Sequence, residues 1–75
     1  MAKAARKLVI CLDNAGYEAS LEKHKIYVAL ADPQARKLGQ LRVIDESGVD
    51  YLHDKTAFRE VSLPRSVRRA VLAAA

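Results

Sequence analysis

Tryptophan is absent from this chain, cysteine occurs once, proline twice and glycine three times. Each scarcity excludes something. A lone thiol, Cys11, forms no internal disulfide, which sets the chain apart from disulfide-stapled secreted scaffolds and fits a reducing compartment. It sits inside the apolar run Leu8-Val9-Ile10-Cys11-Leu12 and reads as a buried structural thiol. So few glycines and prolines rule out collagen-like or low-complexity segments. No apolar stretch approaches the length that crosses a bilayer. Lys3, Arg6 and Lys7 imitate the front of an export signal, but the apolar run behind them ends at Asp13 and is too short for one. The expectation is a soluble, cytoplasmic protein with no membrane partner.

Chemistry is equally scarce. The two imidazoles, His24 and His53, and the single thiol stand at no zinc-ligand spacing. No glycine-rich phosphate loop is present, and no serine has a base close by in sequence. Both histidines read as surface or edge residues, His53 facing solvent at the end of a hairpin. The acids Asp45, Glu46, Asp50 and Asp54 lack the alternating pattern of a calcium loop and read as a charged, soluble turn. Neither a metal nor a cofactor is implied, and a catalytic role is not expected.

What is present is a 75-residue chain, 51% hydrophobic and 29% charged, with room for one domain and one small core. Thirteen basic and nine acidic side chains give a net charge of +4. Six of the basic residues lie at the two ends: Lys3, Arg6 and Lys7, then Arg65, Arg68 and Arg69. The body between them is slightly acidic. Any anionic or nucleic-acid partner would therefore be met by the ends.

The stretch 41–52 carries the clearest fold signal. Two β-prone runs flank Asp45-Glu46-Ser47-Gly48, a type I turn with glycine at the left-handed position. Upstream, 6–13 reads as a first strand, followed by the turn Asp13-Asn14-Ala15-Gly16. The segment 17–24 favours helix by propensity, but a long, partly ordered loop whose Leu21 plugs the barrel is the preferred reading over a short helix. Ile26, Val28 and Leu30 alternate with Tyr27, Ala29 and Ala31, the period of a strand whose 26/28/30 side is the more apolar. Asp32 caps a short helical turn near 33–38, with Pro33 at its first position and Gly39 at its exit. A connection at 53–56, a last strand at 59–63 and a C-terminal helix from Pro64 complete the reading. Leu63, Val67, Ala70, Val71 and Ala74 line one side of that helix and the three arginines share the other. The domain organisation is thus a basic arm over 1–6, a mainly β body of about five strands over 7–63, and a helix and tail over 64–75.

Five short strands with one tight hairpin, a long first loop and a helical punctuation resemble a Src-homology-3-like small barrel. Particular residues narrow the likeness. Cys11-x-Asp13-Asn14-x-Gly16-Tyr17-Glu18-Ala19-Ser20-Leu21-Glu22, then Lys25-Ile26-Tyr27, Gly39 and Arg42-Val43-Ile44-Asp45-Glu46-Ser47-Gly48-x-Asp50-Tyr51-Leu52 resemble a set of short bacterial proteins of unassigned function. That resemblance implies the small barrel and supplies no catalytic residues. Without tryptophan or a paired aromatic stretch, the chain departs from the binders of proline-rich peptides.

Barrels of this size work through their loops. The expected function is a non-enzymatic interaction or regulatory module that binds a protein through its first loop and adjacent strand surface. Its candidate contacts are Tyr17, Glu18, Tyr27, Asp45, Glu46 and Tyr51. The alternative is a nucleic-acid-binding accessory that uses Lys3, Arg6, Lys7, Arg65, Arg68 and Arg69. An exposed edge strand would allow a homodimer under either reading.

Overall fold

A computed structural model describes residues 6–74 of the chain. Five antiparallel strands, β1 (Arg6–Cys11), β2 (Ile26–Leu30), β3 (Gln40–Ile44), β4 (Asp50–Asp54) and β5 (Phe58–Glu60), form one sheet in the order β4-β3-β2-β1-β5. A short helix, α1 (Pro33–Lys37), joins β2 to β3, a 3-10 turn (Lys55–Ala57) precedes β5, and α2 (Arg65–Ala74) ends the described chain. The sheet does not close: β4 and β5 stand at its two edges. No helix among the described residues is long and apolar enough to cross a membrane.

Three element boundaries differ from the sequence reading. Arg6 opens β1, as the strand reading of 6–13 has it, but the strand ends at Cys11 and not at Asp13; Lys3 and the other residues before Arg6 lie outside the described residues. β4 runs through Asp54, so His53 belongs to a strand and not to a connection. The last strand is Phe58–Glu60 instead of 59–63, because pairing with β1 stops where Val61 donates to the Leu8 carbonyl, at 2.9 Å, and Pro64 has no amide to carry it further.

The two sides of the sheet are unequal in a way the alternation alone did not reveal. Directly paired residues share a face. The register therefore places Val9, Cys11, Tyr27, Ala29, Val43 and Phe58 on one side, where they form the buried cluster with Leu21 from the first loop. Leu8, Ile10, Ile26, Val28 and Ile44 share the other side. There, Ile26, Val28 and Ile44 line an open groove of about 470 Å³ together with Val71 and Ala74 of α2. The stronger apolar stripe of β2 thus faces α2, and the main core gathers under Tyr27 and Ala29. Tyrosine and alanine succeed there because large and small side chains interdigitate and the phenol finds polar partners at the rim.

Segment 17–24 is a succession of turns, not a helix. The Leu21 amide reaches back to the Tyr17 carbonyl (2.8 Å), and the turn goes no further because His24 adopts a left-handed φ of 68°. Leu21 itself is 1% exposed, filling the core as the loop reading expected. α1 is capped as its sequence suggests. One Asp32 carboxylate oxygen accepts from the Ala35 amide at 3.0 Å, and the other accepts from Arg42 Nε at 2.9 Å. Arg42 also reaches Asp50 at 2.8 Å, so one guanidinium ties α1, β3 and β4 together. In the hairpin, Asp45 accepts from the amide and hydroxyl of Ser47, and Gly48 takes the left-handed position with φ 81°.

Candidate functional site

The first loop, 12–25, is held at several points. Asn14 Nδ2 donates to the Leu21 carbonyl at 2.9 Å, and the Glu46 amide donates to the Ser20 carbonyl at 3.0 Å. Tyr27 Oη accepts from the Glu22 amide and donates to Glu46 Oε2, both at 2.6 Å, while Lys25 Nζ meets the same oxygen at 2.6 Å. With Leu21 pinned beneath it, the loop is an ordered platform against the hairpin.

The six candidate partner-binding residues separate on this scaffold. Tyr17 and Tyr51 are half-exposed, at 51% and 52%. Glu18 is exposed at the loop tip and accepts from the Gly16 amide. Glu46 is exposed but engaged with Lys25 and Tyr27, which hold its carboxyl below the ordinary range. Tyr27 and Asp45 are buried, so neither lies on the expected contact surface. Burial pushes the Tyr27 hydroxyl up to about 12, and the phenol serves as a structural crosspiece. Asp45 is occupied with its own turn.

His53 also departs from its expected place. It is 5% exposed, not solvent-facing, and its Nε2 has no hydrogen-bond partner. The register explains this: His53 pairs with Leu41 on the core side of the sheet. Its ring lies between Tyr17, edge-on at 4.9 Å between centroids, and Phe58 at 5.7 Å. Burial holds the imidazole below its ordinary value against the opposing pull of Asp45, and so disfavours the charged form in the folded protein. Tyr51, two residues before it on β4, shares its side of the strand. Extending the β4 pattern through Asp54 would have placed His53 and Tyr51 together from sequence.

Beside Tyr17 a concave pocket of about 220 Å³ opens between the first loop and the 3-10 turn, lined by Asp13, Ala15, Tyr17, Leu21, His53, Asp54, Thr56 and Ala57. Asp13 and Thr56 were not among the expected contacts. Cys11 is buried and its thiol is raised by desolvation, which makes it a poor nucleophile. Among the described residues no three metal-ligating side chains converge.

No family model, curated protein or solved structure matches the chain.

The basic candidates lie on a different part of the molecule. Arg6, Arg65, Arg68 and Arg69 are exposed, and Lys7 faces Glu60 at 3.9 Å. Arg68 Nη2 donates to the Arg6 carbonyl at 2.8 Å, which brings the described start of the chain against α2. Lys3 lies outside the described residues.

A pH dependence follows from His53. Below the ordinary imidazole pKa of about 6.5 the unfolded chain takes up a proton that the folded chain resists. Stability is therefore expected to fall as pH drops through that value, and to keep falling until the lower folded value is passed. Urea unfolding at about pH 7.5 and about pH 5.5 checks it. The wild type should be less stable at the lower pH, and His53→Phe should lose most of that difference. Equal differences in the two proteins would refute the assignment.

Proposed function

We propose that the chain is a non-enzymatic interaction module on a Src-homology-3-like barrel, binding a protein partner through its first loop and the adjoining face of β4. The order β4-β3-β2-β1-β5, the long first connection, the helical punctuation and the 3-10 turn before β5 support that architecture. The observation that carries the binding surface is the pair of half-exposed tyrosines on an ordered support. Tyrosine offers a large contact area with little entropy to lose, and a loop already tied down costs little to order on binding. Tyr17, Glu18 and Tyr51 remain as contacts.

Affinity capture with the wild type, Tyr17→Ser and Tyr51→Ser tests this, with melting curves to confirm that the variants fold. A partner retained by the wild type should be lost at least about tenfold in each variant, the scale of a loss of about 1.4 kcal/mol. A partner retained equally by all three proteins would place the surface elsewhere.

The Arg6–Arg68 contact favours a second reading, nucleic-acid binding by a basic pole made of Arg6, Arg65, Arg68 and Arg69. Such binding would be non-specific and steeply salt-dependent. Fluorescence anisotropy with duplex DNA and single-stranded RNA at about 50 mM and about 200 mM salt separates the two. Salt-sensitive binding that is lost in Arg68→Ala and unaffected by Tyr17→Ser supports the basic pole. Absence of binding at the lower salt removes it.

A further inference from the structure

We propose that the pocket beside Tyr17 receives the cationic side chain, arginine or lysine, of a partner peptide. The inference rests on the reading of the first loop as a partner-binding surface and adds the chemistry the partner must bring. Two carboxylates line the pocket, Asp13 and Asp54, and no lysine or arginine does. One oxygen of each is spent on its own turn: Asp13 Oδ1 accepts from the Ala15 amide at 2.9 Å, and Asp54 Oδ1 accepts from the Thr56 amide and hydroxyl at 2.9 and 2.8 Å. The second oxygens carry no hydrogen bond or ion pair among the described residues.

The remaining lining agrees with those acids. Thr56 spends its hydroxyl proton on Asp54 and is left with lone pairs. His53, nine-tenths buried, also lines the pocket, and its Nε2, sealed from solvent, has no partner. A buried polar atom without a partner costs free energy, so the ring is a strained part of the pocket's floor. Tyr17 adds an aromatic wall, a surface that attracts ammonium and guanidinium groups. Acceptors, negative charge and an aromatic ring converge with no lysine or arginine of the chain in the lining, although Lys55 lies near enough to act on Asp54 through its charge.

Size narrows the ligand. At about 220 Å³ the pocket is smaller than the sites that enclose drug-sized molecules, about 300–1,000 Å³, and suits one side chain. A bare divalent cation is a poor match, since no three ligating side chains converge among the described residues. A side chain with several N–H donors on a long stem suits the separated acceptors better.

The test uses the full chain and the blocked tripeptide Gly-Arg-Gly, with its lysine, citrulline and norleucine counterparts, followed by amide chemical shifts. Citrulline keeps the shape of arginine and removes the charge. The arginine or lysine peptide is expected to shift the amides of 13–17 and 53–57 saturably, with affinity near about 1 mM, the scale of one anchored side chain. The citrulline and norleucine peptides should bind at least fivefold more weakly. Asp54→Asn and Asp13→Asn, each able to keep its turn hydrogen bonds through the amide oxygen, should weaken the arginine peptide by a similar factor. Equal binding of arginine and citrulline peptides, shifts confined to other parts of the surface, or no saturable shift with either cation would overturn the proposal. If the peptides fail while partner capture still depends on Tyr17 and Tyr51, the pocket is wrong and the surface stands. If the peptides bind as expected while capture ignores both tyrosines, the surface reading fails instead.

Discussion

Leu21→Ala is expected to destabilise the protein by about 2–5 kcal/mol, the range for removing a buried leucine side chain from a close-packed core. A domain of this length holds about 4–11 kcal/mol in total, so a large share of the margin disappears. Leu21 is 1% exposed and packs in the cluster of Val9, Cys11, Tyr27, Ala29, Val43 and Phe58. It is the sole member of that cluster contributed by the first loop, so its loss frees the loop as well as hollowing the core. Thermal melting should show a drop of about 8 °C or more, since each kcal/mol shifts the midpoint of a small domain by about 4–8 °C. Partner capture should be lost together with the ordered loop. A drop of under about 3 °C would mean that the loop is held mainly by its hydrogen bonds and that Leu21 is dispensable.

Tyr27→Phe is expected to cost about 1–3 kcal/mol although it deletes a single oxygen. That oxygen accepts from the Glu22 amide and donates to Glu46, so the first loop and the hairpin are joined through it. The phenyl ring keeps its place opposite Val9 in the buried cluster, which isolates the polar contribution from the cavity that alanine would leave. Denaturant titration should show a lower midpoint with an unchanged slope, the sign of altered stability without altered compactness. An unchanged midpoint would mean that water replaces the hydroxyl without loss. The same geometry makes Tyr27→Ala a poor probe of partner binding, because the core would fail before any surface could be tested.

The hairpin over Asp45–Gly48 and the cap at Asp32 were legible because each depends on neighbours a few residues away, and Leu21 because it is an apolar residue isolated among polar ones. An aspartate before proline, a glycine at a left-handed position and an apolar residue isolated in a polar loop declare themselves locally. Tyr27, Asp45 and His53 were misplaced for the opposite reason. Tyr27 stands on the less apolar stripe of its strand, and only the neighbouring β1 and β3, with Leu21 above, turn that stripe into the core. His53 follows a hairpin and precedes an acid, a context that reads as solvent until its pairing with Leu41 is known. The pocket between Asp13 and Asp54 had no sequence signal at all, since its two walls are about forty residues apart in the chain.

Short-range order therefore came from the residues themselves: where strands begin, where the chain reverses, and that the body is β-rich with basic ends. Tertiary pairing decided which stripe of each strand is buried, which tyrosines remain available, and which acids come to line one pocket. The physical reason is that backbone geometry and capping are set within a few bonds, whereas burial belongs to pairs of surfaces. A side chain's solvent exposure depends on what folds over it, and that covering arrives from distant parts of the chain.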